Sequence, residues 1–322
     1  MRDKAIWVTW EHQRRNITLS EELKVPLYEF DLKGPRCLRY PVLIFKTVFL
    51  LIIKRPRILF VENPSIVLAL LAVTYKKITT AKAIVDAHNS VSNYLTSKGS
   101  FIAGLTKYIV HNSNLNIITN TNLKDEVEKY GGKGFVLSDP IPHFPQVEPV
   151  RLKGKYNILC ISSFGIDEPI EEVMRAAKKL DKDIFVYITG DYKKRFQYLP
   201  ESMPPNVILT GYLPDKKYIQ MLYSVDLIMD LTKSENCLVC GMYEALAVEK
   251  PLILSDKKVL REYLNAGAVF TENREGAIAE AINRALNKKK TLGKETARTK
   301  ATKQKMWEAD FKKLLSYLPS FS

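Results

Sequence analysis

Short apolar runs alternate with helix-like patterns along almost all of the 322 residues. Strands that are separated by helices pair in parallel, because each helix carries the chain back before the next strand begins. The alternation therefore predicts an α/β fold built on doubly wound sheets. The predicted strands of the first half cover residues 5–10, 26–30, 58–62, 83–88, 116–119 and 134–137.

A proline-rich segment interrupts this alternation once. Residues 138–150 hold four prolines in thirteen positions and show no period, as expected of a linker between domains. The pattern restarts at residue 156, so we predict two Rossmann-like domains, 1–140 and 156–300, joined by a linker at 141–155. A C-terminal helix, 301–322, is expected to pack back on the first domain. Ligands of such sheets bind outside the carboxyl ends of the strands, which predicts a cleft between the domains as the site.

The composition limits the class of protein. Lys and Arg number 49 against 35 Asp and Glu, a formal charge of +14 that favours nucleic acid, a phosphate-bearing small molecule or an anionic membrane as partner. The 14 Gly and 16 Pro are ordinary numbers, which excludes a collagen-like or disordered chain. Four irregularly spaced cysteines predict free thiols in a reducing, cytoplasmic compartment. Cys237 and Cys240 form a single C-x-x-C pair, which we interpret as small residues at the start of a buried helix.

The most apolar stretch, residues 40–53, is too short to span a bilayer, which takes about 20 residues. The first ten residues do not resemble a secretion signal. We expect residues 40–53 to form a helix that lies on the inner face of the cell membrane, with Lys46, Lys54, Arg55 and Arg57 near lipid phosphates. The alternative is a buried helix that covers a sheet, and the two are compatible if one face does each job.

Residues 231–256 carry the clearest chemistry. They predict a strand, a polar loop, a helix with Gly241 in its first turn and a second buried strand ending at Asp256. The free N–H groups of a helix N-terminus suit a phosphate. Glu244 can accept hydrogen bonds from both hydroxyls of a ribose, and Glu235 from those of a sugar beyond the phosphates. In the alternative, Glu235 caps the helix and Glu244 is solvated.

This segment resembles the donor-site motif of GT-B glycosyltransferases, especially the retaining family 4. The matching residues are Glu244-Ala245-Leu246-Ala247, Lys250-Pro251 and Ser255-Asp256, and further on Thr189-Gly190-Asp191 and Thr210-Gly211-Tyr212-Leu213. The resemblance implies a nucleotide-sugar donor, UDP- or GDP-linked, with no other cofactor. It also implies that Thr189 and Gly190 form the glycine turn of the donor site and that the main chain at Tyr212 and Leu213 borders the base. No Asp-x-Asp pair stands at a predicted strand end, so we expect no metal.

Two departures from the family pattern leave alternatives open. Eight residues rather than seven separate Glu235 from Glu244, so either Glu235 or Asn236 fills the position of the first motif Glu. The segment 162–171, SSFGIDEPIE, lacks the Arg and Lys that family 4 aims at the diphosphate. Positive charge is then expected from Lys193, Lys194 or Lys233, or from main-chain N–H groups around Gly165.

The first domain is expected to bind the acceptor and to supply any catalytic base. His12, Arg14 and Arg15 follow the first predicted strand, and Asp86 and His88 end the fourth. An inverting enzyme would use Asp86 or His12 as the base, whereas a retaining one lets the leaving phosphate take the proton. The resemblance implies that His88 touches the donor sugar, and Arg14 and Arg15 are candidates for donor phosphate or acceptor. In the alternative, these five residues have no catalytic or binding role and are packed or solvated side chains at strand ends.

The sequence thus favours a glycosyltransferase that moves a sugar onto a lipid-linked glycan at the cytoplasmic membrane face. A GT-B-shaped nucleotide-sugar epimerase would be soluble and would need no basic apolar surface. A nucleic-acid-binding protein would use the net charge, but the chain lacks interleaved aromatic and basic stretches on a recognisable module.

Overall fold

The computed structural model describes residues 4–62, 65–87, 101–194 and 203–318 of the chain. The chain divides into two compact units. The first comprises Met1–Pro140 with Trp307–Ser322, and the second comprises Ile141–Met306.

The first unit contains a sheet of six parallel strands. They are β1 (Ala5–Thr9), β2 (Leu27–Glu29), β3 (Ile58–Glu62), β4 (Lys82–Asp86), β5 (Leu115–Ile118) and β6 (Gly134–Val136). Their order in the sheet is β2-β1-β3-β4-β5-β6, so the direction of winding reverses between β1 and β3. β1 and β3 are buried along their whole length, which explains their unbroken apolar sequences.

Helices cover both faces of this sheet. They are α1 (Arg14–Leu23), α2 (Arg36–Lys54), α3 (Ile66–Ile78), α4 (Phe101–Asn112) and α5 (Thr121–Lys129). Residues of α2 to α5 pack in one core with Ile6 and Val8 of β1. Residues of α1 pack in a second core with Ala5 and Trp7, the side chains that point to the opposite face.

The second unit contains another sheet of six parallel strands. They are β7 (Tyr156–Cys160), β8 (Ile184–Thr189), β9 (Val207–Gly211), β10 (Leu227–Asp230), β11 (Leu252–Ser255) and β12 (Ala268–Thr271). The order is β12-β11-β10-β7-β8-β9, which reverses between β7 and β10. The helices are α6 (Ile170–Ala177), α7 (Asp215–Ser224), α8 (Cys240–Ala247), α9 (Lys258–Tyr263), α10 (Glu275–Asn287) and α11 (Lys289–Tyr317). Two doubly wound parallel sheets with flanking helices confirm the predicted α/β fold.

The last helix is longer than the sequence predicts. Instead of beginning near residue 301, α11 begins at Lys289 and includes the lysine- and arginine-rich residues 289–300. Two of its inward positions are the buried threonines Thr296 and Thr299, so the apolar period that marks a helix is missing there. At its far end Phe311 and Leu314 enter the core of the first unit, in agreement with the expected packing on that domain.

Helix α2 is also longer than the apolar stretch that predicts it, since it runs over 19 residues. Within the described ranges, no helix combines the length and apolar character needed to cross a membrane.

Candidate functional site

The second sheet reverses its winding between β7 and β10, and the loops after these two strands meet. The backbone N–H of Lys233 donates to the carbonyl of Asp167 at 2.6 Å, and the Thr232 hydroxyl donates to the Asp167 carboxylate at 3.1 Å. Ser255, the last residue of β11, accepts from the Thr232 N–H at 2.9 Å. Because ligands of doubly wound sheets bind at such a reversal, these loops define the candidate donor site.

The N-terminus of α8 is closed by a carboxylate of the protein itself. Asp230 ends β10, and its Oδ2 accepts a hydrogen bond of 2.7 Å from the N–H of Gly241. A side chain at position 241 would place its Cβ 2.5 Å from this oxygen, so only glycine permits the contact. The Gly241 N–H, predicted from the sequence to be near a phosphate, is therefore already satisfied by Asp230.

The surroundings of Asp230 are acidic. Its burial raises the pKa of the carboxyl group well above the ordinary value, and the Gly241 N–H only partly opposes this effect. The charges of Glu168, Glu244 and Asp167 raise the pKa further. The site therefore concentrates carboxylates where a diphosphate needs positive charge or hydrogen-bond donors.

Glu168 fills a second set of donors in the loop after β7. Its carboxylate accepts hydrogen bonds from the N–H groups of Ser163 and Gly165, both at 3.0 Å, and from the Ser162 hydroxyl at 2.6 Å. The main-chain N–H of Gly165 was predicted to be one source of hydrogen bonds for the diphosphate. In the structure the Glu168 carboxylate occupies that position.

Glu244 lies on α8, about one turn from the Gly241 N–H that Asp230 binds, and is half-buried. The Tyr218 hydroxyl, on α7, donates a hydrogen bond to Glu244 Oε2. The Tyr218 hydroxyl therefore holds one of the two carboxylate oxygens of Glu244.

The glycine turn after β8 lies against the loop after β7. The Ser162 N–H donates to the Thr189 hydroxyl at 3.2 Å. Gly190 has a φ of +100°, and a Cβ there would lie 2.2 Å from the Ser162 carbonyl oxygen. Tyr212, after β9, is 80% exposed and Leu213 is half-buried. The predicted Thr189-Gly190 turn and the Tyr212 ring therefore lie at the carboxyl ends of neighbouring strands β8 and β9.

Glu235 and Asn236, the two candidates for the position of the first motif Glu, differ in their surroundings. The Glu235 side chain is 72% exposed and pairs with the Lys257 ammonium at 2.5 Å. Asn236 is half-buried in the same loop.

The lysines predicted to bind the diphosphate differ in exposure and partners. Lys193 is exposed, and Lys233 Nζ lies 3.7 Å from Glu172 Oε1. Lys194 ends a short helical turn, and its side chain lies outside the described structure.

In the first unit, Arg15 and Asp86 form a buried ion pair. Arg15 Nε lies 2.8 Å from Asp86 Oδ2, the NH2 group donates to the Leu137 carbonyl at 3.1 Å, and NH1 pairs with Asp139. Burial alone would lower the pKa of Arg15, but the charges of Asp86 and Asp139 raise it overall. The structure does not support Asp86 as a base or Arg15 as a phosphate ligand, because each is buried and bound to the other.

The other predicted residues of the first unit have different surroundings. His12 is 65% exposed at the carboxyl end of β1, and its Nδ1 lies 3.0 Å from Glu29. Arg14 is exposed on the first turn of α1. His88 lies outside the described residues.

A buried carboxylate that sequence reasoning missed lies beside Asp86. Glu62 ends β3 and is 2% exposed; the Thr9 hydroxyl of β1 donates to its Oε2 at 2.5 Å. Asn16 donates to the same hydroxyl at 3.1 Å. The sequence does hold a sign of this carboxylate, because Glu62, like Asp86, ends a predicted strand. The two residues are register partners in the neighbouring strands β3 and β4.

Helix α2 has two opposite apolar faces. Leu43, Thr47 and Leu51 are buried against the sheet. The outward stripe is exposed and repeats every three or four residues, the spacing of one helix face. Its members, with 44–71% of each side chain exposed, are Leu38, Val42, Phe45, Phe49 and Ile52.

The predicted membrane cations lie on α2 or within three residues of its end. Lys46, Lys54, Arg55 and Arg57 are all exposed. Lys46 Nζ lies 5.8 Å from the Phe30 ring and Lys54 Nζ 5.9 Å from the Tyr28 ring, so both amines lie beside the β2 edge of the sheet.

The described residues contain no group of three or more His, Cys, Asp or Glu side chains that could hold a metal ion. Cys237 is half-buried and Cys240 is exposed, and neither forms a disulfide.

Known proteins resemble this chain in sequence and in fold. Residues 146–305 match the family model described as Glycosyl transferases group 1. No curated protein matches the chain significantly by sequence.

Solved structures share the fold across both units. Sucrose-phosphate synthase from Thermosynechococcus elongatus aligns with a TM-score of 0.76 at 14% identity, covering 97% of each chain. Anabaena Alr3699/HepE in complex with UDP aligns with a TM-score of 0.71 at 11% identity, covering 98% of this chain and 100% of its own. A glycosyltransferase from Rickettsia africae aligns with a TM-score of 0.64 at 15% identity, covering 97% of this chain and 90% of its own. The family match over residues 146–305 and the shared fold together place the chain among the group 1 glycosyltransferases of the GT-B fold.

Proposed function

We propose that this glycosyltransferase takes its sugar from a nucleotide-sugar donor, UDP- or GDP-linked, and transfers it to a hydroxyl of a membrane-associated, lipid-linked glycan. It works without a metal ion at the cytoplasmic face of the membrane. The observation that carries the donor half is Glu244, a charged and half-buried carboxylate on the helix that follows β10.

The donor is bound by the loops at the β7–β10 reversal. Glu244 accepts the ribose hydroxyls, the exposed Tyr212 ring lies where a base can stack, and the Thr189-Gly190 turn borders the phosphates. Anabaena HepE, which shares the fold, has been crystallised with UDP and with UDP-glucose, and this supports a nucleotide-sugar donor.

The diphosphate needs cations that the loop after β7 does not provide. Lys233 is the nearest candidate, because it extends from the loop after β10 and is 44% exposed. Lys193, at the end of the turn after β8, is a second exposed candidate. Each lysine carries one positive charge beside an acidic loop. In this proposal the two lysines bind the diphosphate, which in other proteins is bound by helix N–H groups.

Proton transfer has two routes, and they differ in stereochemistry. In a retaining reaction the leaving diphosphate accepts the proton of the attacking hydroxyl, so no protein base is required. In an inverting reaction His12 is the candidate base, because its imidazole is exposed at a strand end and oriented by Glu29.

The acceptor half of the proposal is supported by α2. A helix that buries one side and exposes a stripe of large apolar residues on the other suits the interface of a bilayer. The exposed cations beside the stripe, Lys46, Lys54, Arg55 and Arg57, suit anionic headgroups. A soluble epimerase would have no use for this surface, and nor would a nucleic-acid-binding protein, whose basic patch would not surround an apolar stripe.

Calorimetric titration of UDP-, GDP- and other nucleotide sugars into wild type and Glu244→Gln tests the donor assignment. The variant should bind about ten- to a hundredfold more weakly, since two charge-assisted hydrogen bonds to ribose are lost. Glu280→Gln, an exposed change on α10, serves as the matched control. Unchanged nucleotide affinity in a folded Glu244→Gln protein would remove Glu244 from the donor site.

The acceptor class is tested separately with radiolabelled donor sugar and a membrane lipid extract. Label that moves into the organic-solvent-extractable fraction is expected. Label that moves only into water-soluble glycans would contradict a lipid-linked acceptor.

A further inference from the structure

An open cavity of about 620 Å³ lies at the free edge of the second sheet. Its walls are β12, α10 and the first turn of α11, with Asp256 and Arg261 at one end. β12 is the edge strand, and β11 and β10 lie between it and β7. The cavity is therefore separate from the loops of the candidate donor site, which follow β7 and β10.

Helix α10 gives the cavity its shape. Its lining residues are Ala277, Ala281 and Arg284, continued by Lys288 directly after the helix, and they recur every three or four residues. That spacing places them on one helix face. The short side chains of the two alanines leave a space that a longer side chain would fill. Val269 of β12 adds a buried apolar surface to the lining.

The acidic side chains of the cavity are balanced by arginines. Asp256 accepts two hydrogen bonds from Arg261, and Glu272 accepts one of 2.6 Å from Arg274. The Glu272 hydrogen bond raises the pKa of Arg274, and the charge of Glu280 adds to this increase. The negative charge of the cavity is therefore directed at these two arginines.

Arg284 and Lys288 are the other two cations of the cavity, and both are exposed. The Arg284 NH2 group donates to the Phe270 carbonyl at 3.1 Å, which holds the guanidinium against the edge of β12. Within the described residues, neither Arg284 nor Lys288 pairs with a carboxylate. A guanidinium has five N–H donors, so most of those of Arg284 remain for a ligand. This end of the cavity therefore carries unbalanced positive charge.

The spacing of these two cations suits an anion with several oxygens. Side chains four residues apart are neighbours on a helical face, and like charges at that spacing repel each other. A phosphate group between them replaces the repulsion by two attractions. Its oxygens also match the planar fork of a guanidinium, which can donate two parallel hydrogen bonds.

We propose that this cavity is a second binding site, for a phosphate-bearing small molecule, and that Arg284 and Lys288 bind the phosphate. The volume of about 620 Å³ lies within the usual range for small-molecule sites, roughly 300–1,000 Å³. The arginine–carboxylate pairs at the other end offer both donors and acceptors, which suit hydroxyl groups of the same molecule.

Calorimetric titration with inorganic pyrophosphate tests this site. Wild type is compared with Arg284→Gln/Lys288→Gln and with Ala277→Leu, which narrows the cavity without changing its charge. Lys290→Gln/Lys294→Gln is the matched control, because it removes the same charge from exposed positions of α11 that do not line the cavity. All these variants keep the loops of the candidate donor site, so pyrophosphate bound there is common to the four proteins.

We expect wild type to bind pyrophosphate in the cavity and Arg284→Gln/Lys288→Gln to bind it at least about tenfold more weakly, because charge-assisted hydrogen bonds are lost. Ala277→Leu should weaken binding by a similar factor. The control should stay within about twofold of wild type, since exposed charges outside the site are screened by salt. Circular dichroism checks the folding of each variant, and the two charge variants decide the case if Ala277→Leu does not fold.

Four results would overturn the proposal. The first is a wild type that does not bind pyrophosphate, and the second is equal binding by all four proteins. The third is equal weakening in Arg284→Gln/Lys288→Gln and the control, which would show attraction by general surface charge. The fourth is full binding by a folded Ala277→Leu protein, which would place the anion outside the cavity. The end of a helix also favours cations, so lower thermal stability of Arg284→Gln/Lys288→Gln with unchanged pyrophosphate affinity would show a structural role alone.

Discussion

Asp230 accepts a hydrogen bond of 2.7 Å from the N–H of Gly241, so a strand-end carboxylate closes the N-terminus of the donor-site helix. A helix N-terminus left open would attract an anionic ligand, and here a carboxyl oxygen of the protein itself accepts the Gly241 N–H. In the proposed donor site, Lys233 and Lys193 are exposed candidates within the described residues for the positive partners of the diphosphate. The same contact explains why residue 241 is glycine, although the sequence alone suggests that Gly241 binds a phosphate.

Replacement of Gly241 by alanine should destabilise the second unit by about 1–3 kcal/mol. The new Cβ would lie 2.5 Å from Asp230 Oδ2 and 2.7 Å from the Ile161 Cδ1 atom, and both partners are on packed elements. Chemical denaturation followed by circular dichroism measures the change. Gly276→Ala is the control, because nothing lies within 4 Å of its Cβ and alanine favours a helix by up to about 1 kcal/mol. Equal effects of the two substitutions would contradict the close Gly241–Asp230 approach.

Asp230→Asn should stabilise the second unit, and more so at high pH. Burial raises the pKa of Asp230 in the folded state above its unfolded value near 3.8, so ionisation opposes folding. The wild type therefore loses stability as the pH rises from below 3.8 through the raised pKa, whereas asparagine does not ionise. Asn Oδ1 can still accept from the Gly241 N–H.

The measurement for Asp230 is the free energy of unfolding at pH 4 and pH 8. The advantage of Asp230→Asn over wild type should be larger at pH 8. Asp183→Asn, an exposed change in the same unit, should show no such trend. An advantage that is the same at both pH values would mean that Asp230 does not titrate differently in the folded protein.

Arg15→Met should lower the free energy of unfolding of the first unit by about 3–5 kcal/mol, because it leaves the buried carboxylate of Asp86 without its partner. All three tryptophans, Trp7, Trp10 and Trp307, belong to the first unit, so their fluorescence during urea denaturation reports on that unit alone. The matched control is Arg14→Met, an exposed change on the same helix. A similar small effect of both variants would contradict a structural role of the Arg15–Asp86 pair.

Much of the fold could be predicted because the strands are buried on both faces. The predicted strand at 58–62 matches β3 at both ends, and those at 5–10 and 134–137 match β1 and β6 to within one residue. Helix α1 shows a weaker apolar period, because its inward positions include Arg15, Asn16 and Ser20. Helix α9 has only six residues, too few to show a period.

The residues of the candidate site could be predicted where they belong to a local sequence motif. Contacts between residues far apart in the sequence could not be predicted. Glu244 and Gly190 follow from a local pattern of residues. The Tyr218–Glu244 and Asp230–Gly241 contacts join residues 26 and 11 positions apart, and neither pair has a recognisable spacing. The ion pair that binds Asp86 to Arg15 joins residues 71 positions apart, so strand-end polarity alone does not reveal it.

Activity should persist in the presence of a chelator. In the proposed reaction the diphosphate is neutralised by lysine side chains and hydrogen-bond donors rather than by a divalent cation. Sugar transfer measured before and after EDTA treatment, and again after addition of manganese, checks this. Complete loss with EDTA that manganese restores would contradict metal-independent transfer.

Membrane binding should depend on Lys54, Arg55 and Arg57 at the end of α2. Each cation near an anionic surface contributes about 1 kcal/mol, so replacing all three with Gln should weaken binding to anionic liposomes on the order of a hundredfold. Donor affinity should not change, because the three residues belong to the first unit. The control is Lys178→Gln with Lys182→Gln and Lys290→Gln, an equal change of charge at exposed positions of the second unit.

The apolar stripe should provide the part of this binding that salt does not screen. Phe45 and Phe49 stack on each other with ring centroids 6.2 Å apart, and both are more than half exposed. Replacing both with Ser should abolish the binding that remains at high salt and leave the fold intact, because the buried face of α2 is Leu43, Thr47 and Leu51. Liposome sedimentation across a salt series measures both components. If wild-type protein ignores anionic liposomes even at low salt, α2 only covers the sheet and the acceptor is a soluble glycan.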